Sequence, residues 1–316
     1  MPRFILAAFL VLAATVFSTH GSANCGQAVC AVNTDWEVQG VLLDGKTRLD
    51  VRFEYIDQDH RRRGSQKVPP DEVTGHHDEV RTINRNWIAT LDHSFNSQWG
   101  LSLALPYSSR THHHIHHHLG EDLPEAWSYQ EMGDARILGR YQANAPEGAA
   151  FSWGLSAGLK LPTGKHDVRN DEGELAERTL QPGTGTTDWI AGVFVHRAMQ
   201  TVDTFAQIQI QRPFAEREHF QPGTRTSIDI GLRYPLGERI ALLAQLNLLH
   251  RGHDQSEEAE AEDSGGKFVY FSPGISVSAS RNVRLYAFLQ LPLYQHANGI
   301  QLAADWAASA GISMRF

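Results

Sequence analysis

Cysteine is nearly absent from this chain of 316 residues: only Cys25 and Cys30 occur, both close to the N-terminus. The spacing is not Cys-x-x-Cys and no histidine follows for haem attachment, so a local disulfide is the plain reading. Asn24 is a poor residue before a lipidated cysteine, which argues against a lipoprotein signal. Basic excess is absent as well. Lys and Arg total 28 against 36 Asp and Glu, a formal charge of -8, and no basic footprint for nucleic acid remains. Also missing is any continuous apolar run of about twenty residues, the length a membrane-spanning helix needs.

What is present begins with one positive charge at Arg3 and an apolar stretch from Phe4 to Phe17 broken by Thr15. Gly21-Ser22-Ala23 then supplies small residues for cleavage, so residues 1–23 read as a secretory signal peptide. Residues 24–46 are expected to form a periplasmic segment carrying Cys25 and Cys30, and residues 47–316 a single barrel.

The barrel is expected from period-two alternation. From Ile300 to Phe316 every even position is apolar, whereas the odd ones include Gln301, Asp305, Ser309, Ser313 and Arg315. Such a pattern places one face in oil and the other against something polar. Similar alternation between turn signals predicts twelve strands: 47–59, 80–95, 98–111, 132–143, 149–162, 187–198, 202–213, 225–235, 239–251, 267–280, 283–295 and 300–316. Short connections alternate with long charged ones at 60–79, 112–131, 163–186, 214–224 and 252–266, with a small one near Asn298-Gly299. Short periplasmic turns and long outer loops are the pattern of outer-membrane barrels, and an even strand count leaves both termini in the periplasm. The fold class is therefore all-β, a closed antiparallel transmembrane barrel in the outer membrane of a Gram-negative bacterium, with lipid as its outer partner. Pro273 and Pro292 fall inside strands where each forfeits a ladder hydrogen bond, so bulges are expected there. Alternation is also poor around Phe194 and Phe205.

Parity assigns the inner face. Asp50, Arg52, Glu54, Asn84, Asp134, Arg136, Arg140, Lys160, Asp188, Asp229, Arg233 and Asp305 are expected to line the lumen. An ionised Arg or Lys facing lipid at the midplane would cost about 2–4 kcal/mol. Arg52, Arg136, Arg140 and Arg233 would form a rail for a small polar or anionic solute. The alternative is a lumen filled by its own salt bridges. Asp188 either pairs with Lys160 across the adjacent strand or stands at a constriction.

Histidine is abundant, with seventeen residues, and fourteen of them fall on outer loops or outer strand ends. They include His76, His77 and the tract His112, His113, His114, His116, His117 and His118. Imidazole is a good ligand for zinc, copper and nickel. If the third strand continues past Arg110, alternate tract histidines share the lumen face; if the tract is helical, they form i, i+4 pairs. The acidic run from Glu257 to Asp263 would concentrate cations at the mouth. No required cofactor is indicated. A solvated loop that merely changes charge with pH is the bland alternative. Catalysis would need a nucleophile, a base and an orienting group on the rim. Ser108 and Ser109 lie near histidines, yet no compact serine or acid-pair motif appears, so no enzyme is expected and a lipid-modifying one is the weaker alternative.

Two stretches carry a resemblance. Leu159-Lys160-Leu161-Pro162-Thr163-Gly164 ends one strand and Gly183-Thr184-Gly185-Thr186-Thr187-Asp188 opens the next; Gly133-Asp134 leads into Arg140-Tyr141 before them. Together these resemble the outer-membrane family named for the phenol meta-cleavage pathway, whose members are mostly regarded as transporters. The resemblance spans about residues 100–300. It implies an outer-membrane barrel with passive solute passage, and assigns neither a substrate nor a catalytic residue. The function expected is thus a channel for small solutes, including transition-metal ions or their chelates. The alternative is a non-conducting barrel that captures metal or serves a periplasmic export partner.

Overall fold

The computed structural model describes residues 23–24, 31–34, 46–69, 77–118, 121–143, 150–256, 261 and 263–316. Residues 1–22 of the expected signal peptide, Cys25, Cys30, His76 and most of the acidic run lie outside the described residues, as do the side chains of His77, His116, His117 and His118.

Twelve strands form a closed antiparallel barrel: β1 Thr47–Gln58, β2 His77–Ser94, β3 Trp99–His118, β4 Arg136–Ala143, β5 Phe151–Lys160, β6 Asp188–Ala198, β7 Asp203–Pro213, β8 Arg225–Pro235, β9 Ile240–Arg251, β10 Gly266–Ser278, β11 Val283–Ala303 and β12 Ala307–Arg315. Each pairs with its neighbours in sequence, and β12 closes on β1 through a register that includes Ala310 opposite Phe53. Closure leaves the twelve-stranded wall without a free edge, the condition for strands to cross lipid.

The expected parity decides the two faces. Trp87, Leu91, Trp99, Phe151, Leu155, Ile208, Ile230, Leu285 and Leu289 are exposed on the outside, where lipid would cover them. Between them, Asp50, Glu54, Asp92, Ser156, Gln207, Gln245 and Ser309 are buried on the inside.

The last strand differs from expectation. Ile300, Gln301, Leu302 and Ala303 belong to β11, which runs for 21 residues, and β12 starts at Ala307. Asn298-Gly299 is not a turn. It lies where β11 shifts register against a short outer strand, His60–Gly64, and Gly299 takes a positive φ of 60° there. A glycine in that conformation is what a bulge uses. The turn falls at residues 304–306 instead, so Asp305 is not in the lumen: its side chain is 55% exposed and bridges to Lys67 at 2.9 Å.

Two further corrections concern the outer side. β3 spans 20 residues, and Glu121–Met132 pairs back on its distal half, so most of the expected loop 112–131 is sheet. At about 3.3 Å per residue β3 is roughly 65 Å long, well beyond a hydrocarbon layer of about 30 Å even when tilted. Its distal half therefore stands clear of the membrane. The expected strand 132–143 is interrupted at residues 133–135 and resumes at Arg136. Among the prolines, Pro292 sits beside a register shift between β10 and β11, where Val269 faces Tyr294 and Tyr270 faces Pro292. That leaves Leu293 as the extra residue.

Candidate functional site

The inner charges are organised in tiers. Nearest the periplasm, Arg48 and Arg140 flank Asp92 at 2.8 and 3.3 Å. Arg233 pairs with Asp203 at 3.1 Å. Asp50 accepts from the Tyr286 hydroxyl at 2.8 Å, and Arg52 pairs with Glu54 at 3.0 Å. Asn84 accepts from Arg110 at 2.6 Å, and Asn247 donates to Asp229 at 2.8 Å. Each charge is thereby held in a low-dielectric wall by an opposite charge or a dipole, the condition on which such burial is tolerated.

The motif residues form one knot at the outer end of β5. The Lys160 ammonium lies 2.8 Å from Asp134 and 3.3 Å from Asp188, and donates to the Thr186 carbonyl at 2.8 Å. Asp134 also accepts from the backbone N–H groups of Gly164 and Thr184 at 3.0 and 2.9 Å. Any Cβ at Gly164 would meet the backbone of Gly133 and Gly183, so these glycines permit the close approach. Both ends of the 163–187 connection are thus tied to one carboxylate.

Residues 31–34 lie within the barrel, whereas the sequence places them in a periplasmic segment. Val32 is packed among Ile56, Leu243, Tyr286, Phe288 and Ala307. Asn33 donates from its side chain to Gln207 at 2.9 Å and Asp229 at 3.2 Å; its backbone N–H donates to the Gln245 side-chain carbonyl at 3.0 Å and its carbonyl accepts from the Gln245 side-chain amide at 2.8 Å. Arg52 donates to the Thr34 hydroxyl at 2.6 Å. Ala-Val-Asn-Thr has no periodicity and no charge, so nothing in those four residues could announce an inner docking site.

Beside this segment is a cavity of about 400 Å³. Arg52, Arg110, Arg136, Lys160 and Arg225 line it, against Glu54, Asp134 and Asp229. Five cations face three carboxylates. Of the four arginines expected as a rail, Arg52 and Arg136 reach this cavity, while Arg140 and Arg233 serve the ion pairs nearer the periplasm.

The histidine tract splits by parity. His112 and His114 point inward and are 0% and 2% exposed, while His113 is exposed. The two inner rings lie 5.8 and 4.8 Å from the Trp127 ring, and Trp127 packs with Ala176 and Leu180 of the 163–187 connection. Beside them is Glu79, wholly buried. Strict alternation along β2 would turn Glu79 outward with Arg81. A register shift between those two residues makes Val80 the extra one and swings Glu79 inward, opposite His114. That bulge is why the sequence reading did not include it.

Across the mouth, Arg178 donates to Glu218 at 3.2 Å and His166 approaches the same carboxylate at 3.6 Å. The Arg178 bond is the main cause holding the Glu218 carboxyl below the usual glutamate range.

No protein-family model matches the chain, and no curated protein matches it in sequence. Solved structures do. An outer membrane channel from Pseudomonas putida F1 superposes with a TM-score of 0.62 at 12% identity, over 87% of this chain and 97% of that one. The NanC porin gives 0.46 at 10% identity over 84% and 98%, and the KdgM porin, solved with disordered oligogalacturonate, 0.45 at 8% over 85% and 99%. The first of these similarities establishes the shared fold, that of an outer-membrane barrel.

Proposed function

We propose that the chain is an outer-membrane channel for small solutes, gated by its own N-terminal segment and selective for anions. The observation that carries this reading is the cavity of about 400 Å³ inside the barrel, with five cationic side chains against three carboxylates. Charges fixed on low-dielectric walls focus their field into such a space and raise the local concentration of counter-ions. The outer histidines would gather zinc, copper or nickel. Given the cationic excess below them, a metal carried as an anionic chelate fits the lumen better than the bare cation. This reading agrees with the transporter role implied by the 159–164 and 183–188 motifs.

A non-conducting barrel is the second reading, and residues 31–34 favour it: they lie across the lumen on both apolar and polar anchors. In that case the protein would hold metal at its mouth or serve an export partner. Purified full-length protein in planar bilayers separates the two. The expected result is small steps whose reversal potential in a salt gradient reports anion preference. Replacing Arg136 and Arg225 by Gln should move that potential toward cations. Absence of steps across salts and voltages, in the parent and in a variant with a loosened segment, would leave only the non-conducting barrel.

A further inference from the structure

We infer that Glu79, His112 and His114 form a resident transition-metal site at the outer end of the barrel wall, best suited to zinc. It is a defined internal centre, distinct from capture by the exposed tract, and it stands whether or not the lumen conducts.

The three side chains come from neighbouring strands in fixed register. Glu79 of β2 faces His114 of β3, and Thr82 faces His112. One potential ligand atom from each of Glu79, His112 and His114 lies within 4.8 Å of the others. His112 Nε2 is 3.2 Å from His114 Nδ1 and 3.3 Å from Glu79 Oε2. A zinc ion bound at about 2.0–2.1 Å by tetrahedral ligands separates those ligands by roughly 3.3–3.4 Å. Two edges of such a polyhedron are therefore already set by the protein.

The far nitrogens support the same arrangement. His112 Nδ1 lies 2.8 Å from the Thr82 hydroxyl and His114 Nε2 lies 2.9 Å from Glu125 Oε2. A histidine that binds metal through one nitrogen commonly donates its other N–H to an oxygen, which selects the tautomer and aims the lone pair. With both far nitrogens protonated, His112 Nε2 and His114 Nδ1 turn lone pairs toward each other and toward a carboxylate. A cation between them resolves that geometry. Two imidazoles and one carboxylate favour zinc, copper or nickel over calcium or magnesium. Three protein ligands also leave a fourth position for water or a small anion.

A metal-free hydrogen-bonded chain running Thr82–His112–His114–Glu125 would occupy the same positions, so the test must exclude it. The exposed tract must also be silenced. We would use full-length protein folded in detergent, with His113, His116, His117 and His118 all replaced by Ser and His112 and His114 kept. After chelator treatment it would be titrated with cobalt alone and with zinc alone. One tightly held equivalent is expected, with the intense visible absorption of tetrahedral cobalt, abolished by zinc. On that background Glu79→Gln, which preserves shape, and His114→Gln should each remove the tetrahedral spectrum. Glu125→Gln should leave the spectrum and weaken affinity by about 10–100-fold. Resistance to unfolding in cold dodecyl sulfate verifies the barrel in each variant. Failure of the folded four-Ser protein to hold an equivalent, or equal binding by Glu79→Gln, would overturn the proposal. Neither outcome bears on conductance.

Discussion

Phe194 of β6 stands directly across from Gly154 of β5, and its ring lies where the glycine has no side chain. The same pairing recurs three times in the periplasmic half: Phe205 with Gly231, Phe288 with Gly274 and Tyr286 with Gly311. Each ring turns into the lumen and lies over a neighbour without a Cβ. A Cβ built at Gly154 would meet both the Phe194 ring and the Tyr141 carbonyl. Gly154→Ala should therefore destabilise the barrel by about 1–3 kcal/mol, the usual cost of overpacking. Adding Phe194→Leu should recover only part, because the carbonyl remains. Guanidinium unfolding of the four species in micelles gives the coupling; strict additivity would show that ring and glycine do not share this space.

These pairs explain what was and was not legible in the sequence. The outer belt was readable because the lipid face favours apolar side chains, so Phe151, Trp153, Leu155 and Leu159 alternate along β5 and Ile208 and Ile210 hold the outer face of β7. The lumen obeys no such rule, and Phe194 and Phe205 break the polar pattern because each answers a glycine one strand away. Local signals failed at register shifts too. Asn298-Gly299 reads as a turn but is a bulge, and the extra residue Val80 hid Glu79 from any count by twos. The inner position of Asn33 depends on Gln207, Asp229 and Gln245, more than 170 residues distant in sequence. By contrast the inward pairing of His112 and His114 follows from extending β3 past Arg110, an alternative the sequence itself poses.

Lys160 bridges Asp134 and Asp188, and all three side chains are buried. Lys160→Met would leave two carboxylates facing each other without it. Breaking a buried pair on one side costs about 3–5 kcal/mol, mostly through the charge left behind. We expect a loss in that range by guanidinium unfolding, and faster proteolysis within 163–187, since Asp134 anchors both ends of that connection. Asp134→Asn, which keeps an acceptor for Gly164, should cost less. An unfolding midpoint unchanged by Lys160→Met would show that the knot adds nothing to stability.

Acid should loosen the outer mouth. Because Arg178 lowers the folded pKa of Glu218, the Arg178–Glu218 contact stabilises the folded mouth above the unfolded glutamate value of roughly 4.3. That contribution is lost as pH falls through the lower folded value. Hydrogen exchange in residues 163–187 and 214–224 should therefore accelerate as pH drops below about 4, after correction for the intrinsic rate. The Glu218 carboxylate is half-exposed, so added salt should screen part of the contact and produce a weaker loosening near neutral pH. Glu218→Gln should abolish the acid-dependent part. An unchanged pH profile in that variant would assign the effect to another group.

Val32 supplies the apolar half of the segment's anchorage, and it is 4% exposed among Ile56, Leu243, Tyr286, Phe288 and Ala307. Val32→Asp removes about 1.5–3 kcal/mol of side-chain burial. It also asks an ionised group to enter that cluster, at a further cost of about 2 kcal/mol or more. A combined shift of about 3.5 kcal/mol or more raises the released population by at least roughly a few hundredfold, since each 1.4 kcal/mol is a factor of ten. The barrel strands lose no pairing, so the twelve-stranded wall should keep its stability. Asn33→Ala, which removes the hydrogen bonds to Gln207 and Asp229 without adding charge, should act in the same direction more weakly. In single-channel recordings both variants should spend more time at a higher conductance, in the order Val32→Asp, Asn33→Ala, parent. Identical traces from all three proteins would mean that residues 31–34 line the lumen without gating it.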